Sequence, residues 1–151
     1  MIVQNRIRKV QKRDRSLVPF DQGRIVNAIL RAARSVGGFA QDLLPGINDK
    51  LFMFGDDEHI AEFLSDVVVI TLNRDPRHWI ANFPPTIEEI QDTVLHVLRS
   101  FGLLTVADAY ECWRWGKYWV RAGAITMEEF VGNGYPTKFH EETLEWNRAH
   151  G

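Results

Sequence analysis

One stretch of sequence decides the fold: Val10-Gln11-Lys12-Arg13-Asp14-Arg15-Ser16-Leu17-Val18-Pro19-Phe20-Asp21-Gln22-Gly23-Arg24-Ile25. The residues up to Arg13 alternate imperfectly between apolar and polar, Asp14-Arg15-Ser16 is prone to form a turn, and an apolar run then ends at Phe20. This order predicts a short β-hairpin. Pro19 has no N–H to donate to a neighbouring strand, so the second strand lies at a sheet edge or stops there.

A helix follows the hairpin directly. Asp21 is a favourable N-cap, and apolar residues recur at helical spacing from Ile25 onward. Gly37-Gly38 then supplies a C-cap. From Phe39 to Gly55 the pattern is irregular and is broken by Pro45-Gly46, which predicts a loop.

Two further helices are predicted downstream of this loop. The second helix of the chain begins at Asp56 or Asp57 and stops before Pro76. The third begins where Thr86 and Glu89 have the spacing of a capping box, ahead of a buried apolar stripe.

A fourth helix carries most of the aromatic residues of the second half. We expect Thr105 to cap it and the helix to fade near Gly116 or Gly123. Within it we expect Tyr110 and Trp113 to belong to the core, while the remaining aromatic side chains pack against the C-terminal tail or form an interface.

Length and composition fit one domain with an appendage. The chain has 151 residues, 45% of them hydrophobic and 25% charged, as in soluble globular proteins. We predict a mostly α (α+β) fold, in which a four-helix cluster is capped by a small β-hairpin or three-stranded sheet. Residues 1–120 would form this domain and residues 121–151 a helical tail.

Charge is unevenly distributed along the chain. The formal net charge of -2 argues against a general nucleic-acid binder, so a nucleic-acid partner is not expected. The basic residues nevertheless crowd the first 24 positions, whereas the acidic ones lie mostly from Asp56 onward. This asymmetry indicates a local site for an anion.

Several classes of function are disfavoured. The single cysteine, Cys112, excludes an internal disulfide framework and a cysteine-rich zinc ribbon. No apolar run has the length of a signal peptide or a membrane helix, so we expect a cytoplasmic protein without a membrane partner. The five histidines show no paired ligand spacing, and no phosphate-binding loop or nucleophile elbow occurs, so neither a metal site nor catalysis is predicted.

The hairpin and the start of the first helix combine cations with apolar side chains. Lys12, Arg13 and Arg24 would meet near one helix N-terminus, where free amides and the helix dipole also favour a polyphosphate. The neighbouring Val10 and Ile25, with Val18, could pack against a purine ring. The alternative is that the basic hairpin is a solvated edge strand, because Lys and Arg protect strand edges from aggregation.

Three motifs resemble the ATP-cone, the small helical nucleotide-sensing domain at the N-terminus of many ribonucleotide reductases. The first runs from Val10 to Ile25, with Val-x-Lys-Arg-Asp before a second strand and a helix that opens on a basic residue and Ile. The second, Pro85-Thr-Ile-Glu-Glu-Ile-Gln-Asp-Thr-Val94, is similar to the third-helix motif of that family. The third, Val106-Ala-Asp-Ala-Tyr110 followed by Arg114, is similar to its closing helix, and the three occur in the family's order over residues 5–118.

This resemblance implies that the chain binds ATP or dATP, with Mg²⁺, as an allosteric ligand. The residues that fall where cones contact the nucleotide are Val10, Lys12, Arg13, Asp21, Arg24 and Ile25. The cations would hold phosphates and the apolar pair would flank the adenine. Gln91 on the third helix and Lys117 on the fourth are further positions implied to face the nucleotide.

The resemblance also implies a regulatory domain and not an enzyme. Reductase activity is on with ATP and off with dATP in that family, through altered association of subunits. The expected protein partner is therefore a ribonucleotide reductase catalytic chain, or a second copy of this chain in a homo-oligomer. The tail resembles the linker by which a cone joins a reductase barrel, so catalysis would belong to that partner or to a longer parent chain.

Two departures from the family pattern leave alternatives open. Arg15 replaces the usual glycine of the turn, where a positive φ would cost roughly 1 kcal/mol or more. Val18 stands where some cones place a polar or acidic residue. These departures favour a degenerate cone that serves as a protein-interaction module. A nucleotide-responsive transcriptional regulator of reductase genes is disfavoured, because the four cysteines that precede the cone in that repressor are absent here.

Overall fold

The computed structural model of the chain describes residues 4–80, 83–124 and 126–132. In chain order the regular elements are β1 (Lys9–Gln11), β2 (Leu17–Pro19), α1 (Gln22–Ser35), α2 (Asp57–Asn73), α3 (Ile87–Ser100), α4 (Leu104–Arg121) and α5 (Met127–Gly132). Short 3-10 helices occupy Ala40–Asp42, Asp49–Phe54 and Pro76–Trp79. The predicted class, mostly α with a small antiparallel sheet, is confirmed.

The hairpin forms as predicted and is tied to the start of α3. β1 and β2 pair antiparallel with Val10 opposite Val18. Beyond this pair, Gln11 makes an isolated parallel bridge to Thr86, and its N–H donates to the carbonyl of Pro85 at 3.0 Å. The sheet therefore has two strands. The bridge from Gln11 to Thr86 holds β1 against the start of α3, the helix that forms one wall of the candidate site.

The first three long helices begin at the caps that the sequence predicts. Asp21 accepts a hydrogen bond from the N–H of Gly23, and Asp56 accepts one from that of His59. The Thr86 hydroxyl accepts one from the N–H of Glu89 at 3.1 Å. Each side chain satisfies an N–H that the first helical turn leaves unpaired, and so fixes the residue at which the helix starts.

The four long helices share one core. α1 packs against both α2 and α4, and α3 packs against the same two helices. Each helix contributes a buried apolar stripe to the interior. Fully buried representatives are Ile29, Leu64, Val68, Leu98 and Val106. Burying side chains of this size contributes about 1.5–3 kcal/mol each, so the helical cluster holds the hairpin and the site in place.

The prediction of an irregular loop from Phe39 to Gly55 is wrong in part. This segment contains two of the 3-10 helices, and Phe39 and Leu51 are fully buried in the core. Short 3-10 turns have no long apolar repeat, so periodicity did not reveal them.

The predicted cap of the fourth helix is also wrong. α4 begins at Leu104, and Thr105 lies inside its first turn and not at the N-cap. The buried carboxylate of Asp42 accepts the N–H of Val106 at 3.0 Å, across 64 positions of sequence. An acceptor supplied from so far away cannot be read from the residues next to the helix.

The division at residue 120 stays a prediction. α4 ends at Arg121, and α5 is the last described element of the predicted tail. The final helical segment predicted from Thr137 to His150 lies outside the described residues.

Candidate functional site

An open, mainly apolar cavity lies between the hairpin, the start of α1, and α3. Its empty volume is about 690 Å³, which includes the solvent-filled space at its open mouth. The apolar part of its wall is formed by Val10, Val18, Pro19, Phe20, Ile25, Ile87, Ile90 and Val94. The polar part is formed by Lys12, Asp21, Arg24, Gln91 and Tyr110. Such a wall can sandwich a flat ring and present a few polar groups at its edge.

A second cavity adjoins the first and is strongly basic. It lies between α1 and α4 and is lined by Arg24, Ala28, Arg31, Gln91, Tyr110, Trp113, Arg114, Lys117 and Arg121. Five of these nine residues are cations, and none is acidic. Arg24, Gln91 and Tyr110 line both cavities, so one extended ligand can occupy the two together.

The structure gathers most of the residues predicted as ligands. Val10, Lys12, Asp21, Arg24, Ile25 and Gln91 line the apolar cavity, and Lys117 lines the basic one. Arg13 is the exception, because it lines neither of these two cavities. Its Nε lies 2.8 Å from Oε1 of Glu88, in the first turn of α3.

Gln91 lines both cavities, and its side-chain oxygen is free to accept a hydrogen bond from a ligand. Its Oε1 is buried and has no hydrogen-bond partner among the residues that the structure describes. An unsatisfied buried carbonyl costs about 1–3 kcal/mol, so a ligand that donates a hydrogen bond here recovers this free energy. An exocyclic amine or a sugar hydroxyl is a donor of the required kind.

The cations of the basic cavity repel one another. Burial, together with the charges of Arg31, Arg121 and Arg13, holds the pKa of the Lys117 ammonium below its usual value. Burial and Arg13 likewise lower the pKa of Arg121, whereas Glu88 raises it. A polyanion bound here would relieve this repulsion and would be held by charge-assisted hydrogen bonds.

Other groups orient the cations of this cavity. Lys117 Nζ lies 4.9 Å from the ring centroid of Trp113, as in a cation–π contact. Arg114 forms an ion pair with Asp92 at 2.6 Å. Asp21 both caps α1 and lies 3.9 Å from Nε of Arg24. Burial raises the pKa of the Tyr110 hydroxyl to about 12, so this side chain is neutral at physiological pH.

Sequence reasoning missed part of the basic cavity. Arg31 lies two turns into α1 and Arg121 at the end of α4, and neither belongs to a motif. The seven-residue interval from Arg24 to Arg31 was the available signal, because positions seven apart lie on one helix face. The expectation that Trp113 is a core residue is wrong, since it is half-buried and lines the cavity, whereas Tyr110 is buried as expected.

The described residues contain neither a candidate metal site nor a membrane-spanning helix. Across residues 4–80, 83–124 and 126–132, no group of three or more His, Cys, Asp or Glu side chains is placed to hold a metal ion. No helix in that part of the chain combines the length and the apolar character needed to cross a bilayer.

Comparison with known proteins agrees with this geometry. The family model described as the ATP cone domain matches residues 8–117, which is more than two thirds of the chain. The matched range starts at β1 and reaches Lys117, so it contains both walls of the apolar cavity and most of the basic one. No curated protein matches the chain.

Proposed function

The chain belongs to the ATP-cone family of nucleotide-binding regulatory domains, and from this we propose that it senses ATP and dATP to control a ribonucleotide reductase. One observation carries the proposal: an apolar cavity and a basic cavity adjoin and share Arg24, Gln91 and Tyr110. This pairing of surfaces matches a nucleotide, which has a flat apolar base at one end and a polyphosphate at the other.

The proposed pose follows from the chemistry of the two walls. The adenine lies in the apolar cavity, flanked by Val10 and Ile25, and its amine or the ribose donates to Gln91 Oε1. The triphosphate extends past Arg24 toward Arg31, Lys117 and Arg121. Arg provides forked hydrogen bonds to phosphate oxygens and Lys provides a point charge.

Mg²⁺ is part of the proposal because it usually binds through substrate phosphates and one or two carboxylates. Asp21 is the carboxylate that lines the apolar cavity. Its carboxylate lies 3.9 Å from Arg24, which lines both cavities, so it could share in holding an ion bound to the first phosphates.

Regulation requires that ATP and dATP stabilise different states. A ligand shifts an equilibrium only through its differential affinity for the two states, so the 2′ hydroxyl must change either the pose or the association of subunits. We propose that this difference acts on a reductase catalytic chain, or on association of this chain with itself, with ATP permitting activity and dATP suppressing it. Native mass spectrometry with each nucleotide tests the association directly.

The first test is a thermal-shift titration with ATP, dATP and GTP. A ligand at about 100 times its dissociation constant adds about 2.7 kcal/mol to the free energy of unfolding, or roughly 5–10 °C in Tm for a domain of this size. We expect ATP and dATP to raise Tm and GTP to have no effect. An absence of any shift would contradict the proposal and favour a degenerate cone that acts as a protein-interaction module.

A triple variant tests the location of the site. Lys12→Ala, Arg13→Ala and Arg24→Ala together should abolish the ATP shift, because they remove the three cations that the resemblance to ATP-cones assigns to phosphate contacts. The matched control is Arg34→Ala, Lys50→Ala and Arg74→Ala, which removes the same residue types from exposed positions that line neither cavity. The control should keep the full shift, and ATP binding that survives in the first variant would refute the proposed pocket.

A further inference from the structure

Arg13 occupies a position that its predicted role does not explain. It follows Lys12 at the hairpin tip, yet only Lys12 lines the apolar cavity. The Arg13 guanidinium instead faces the carboxylate of Glu88 at 2.8 Å, with 38% of its side chain and 45% of that of Glu88 exposed. The contact joins the turn of the hairpin to the first turn of α3.

Glu88 acts on the basic cavity without lining it. Gln91 lies three positions later on α3, so the two residues are neighbours on one face of that helix. The carboxylate raises the pKa of Arg121, whereas Arg13 lowers the pKa of both Lys117 and Arg121. Arg13 and Glu88 thus act on the pKa of Arg121 with opposite signs.

We propose that Glu88 takes the place of a nucleotide phosphate in the ligand-free domain, and that Arg13 leaves Glu88 for the phosphate when the nucleotide binds. This rests on the proposed function, because it concerns how the same site is regulated. Glu88 then sets nucleotide affinity as a competing internal anion, and the exchange connects occupancy of the site to the hairpin and to α3.

The strengths of the two contacts permit this exchange. An ion pair as exposed as Arg13–Glu88 changes an equilibrium constant by at most about fivefold. A polyphosphate carries several charges, and its hydrogen bonds to arginine are charge-assisted and are often made in pairs. The nucleotide can therefore displace Glu88, although the displacement lowers its affinity.

The central experiment is isothermal titration of the whole chain with ATP and, separately, with inorganic tripolyphosphate. Glu88→Gln keeps the shape of the side chain and removes its charge, so both ligands should bind roughly three- to fivefold more tightly than to the natural chain. The matched control is Glu58→Gln. Glu58 also lies in the first turn of a helix, α2, and pairs with Arg34 at 2.9 Å, but it lines neither cavity. The control should leave both affinities unchanged.

A double variant separates exchange from a general electrostatic effect. In an Arg13→Ala background there is no guanidinium to release, so Glu88→Gln should improve binding by less than half of the factor seen in the natural chain. A gain of undiminished size in that background would overturn the exchange. Equal affinities for Glu88→Gln, Glu58→Gln and the natural chain would overturn it as well.

The two probes distinguish failure of this inference from failure of the proposed function. If ATP binds but Glu88→Gln changes nothing, the exchange is wrong and the nucleotide site stands. If ATP does not bind but tripolyphosphate does, and more tightly to Glu88→Gln, the exchange is supported and adenine recognition is wrong. If tripolyphosphate binds neither protein, the exchange is wrong.

Discussion

One residue at the tip of the hairpin, Arg15, has an unfavourable backbone conformation. Arg15 has φ of 70°, in the left-handed region where a side chain is strained, and it is the non-glycine residue of the described chain with positive φ. The turn is nevertheless closed by the Arg15 N–H to the Lys12 carbonyl at 2.9 Å, and by Asp14 Oδ1, which accepts from Ser16. These hydrogen bonds hold Arg15 in a conformation that favours glycine.

We therefore expect Arg15→Gly to raise the free energy of unfolding by about 1 kcal/mol. Urea unfolding checks this, since the midpoint should rise with an unchanged slope. Arg15→Ala is the control, because alanine loses the charge but keeps the strained Cβ and should leave the midpoint nearly unaltered. If alanine stabilises as much as glycine, the charge of Arg15 and not its backbone is the cause.

At the scale of elements, α4 depends on the segment between α1 and α2. The Asp42 carboxylate accepts a hydrogen bond from the N–H of Val106 at 3.0 Å. The Asn48 amide donates to the carbonyls of Asp42 and Phe101, both at 2.9 Å. These buried contacts hold the start of α4 against the core. The position of Lys117 and Arg121 at the other end of the same helix depends on that anchorage.

Asp42→Ala should lower the free energy of unfolding by about 1–2 kcal/mol, because it removes the cap and leaves a buried N–H unpaired. Asp42→Asn keeps an acceptor and should cost less than half as much. Asp49→Ala is a control for loss of an exposed carboxylate acceptor, since Asp49 accepts from the N–H of Gly46 at 2.8 Å on the surface. Chemical denaturation measures all three, and equal losses for Asp42→Ala and Asp49→Ala would contradict a special role for Asp42.

At the scale of the whole molecule, the two cavities unite elements that lie far apart in sequence. Their walls come from the hairpin, α1, α3 and α4, whereas α2 and residues 39–55 line neither. A nucleotide that fills both cavities would therefore restrain the hairpin turn and the last turns of α4 together.

Hydrogen exchange detects this restraint. Saturating ATP should slow amide exchange in residues 12–16 and 117–121, where opening is local, and leave local exchange in residues 39–55 unchanged. Adenosine, which has no phosphates, should protect the apolar cavity without protecting residues 117–121. Equal protection of residues 117–121 by adenosine and ATP would show that the basic cavity does not hold the phosphates.

Local patterns determined the class of fold and the part of the candidate site that the hairpin and the start of α1 supply. The caps at Asp21, Asp56 and Thr86 and the apolar repeats placed three helices, because capping and periodicity depend on residues within a few positions of one another. The same locality placed Lys12 and Arg24 beside the start of α1. Motif resemblance carried the prediction of an adenine-nucleotide ligand.

Tertiary structure alone decided what depends on residues distant in sequence. Asp42 caps α4 across the molecule, Arg31 and Arg121 meet in one cavity, and Arg13 faces Glu88, yet none of these pairs has a signature in a short window. Their approach follows from helix packing, which joins residues 64, 90 and 75 positions apart only once the core has formed. Sequence therefore predicted the chemical class of the ligand, and the packing of the helices determined which cations can bind that ligand together.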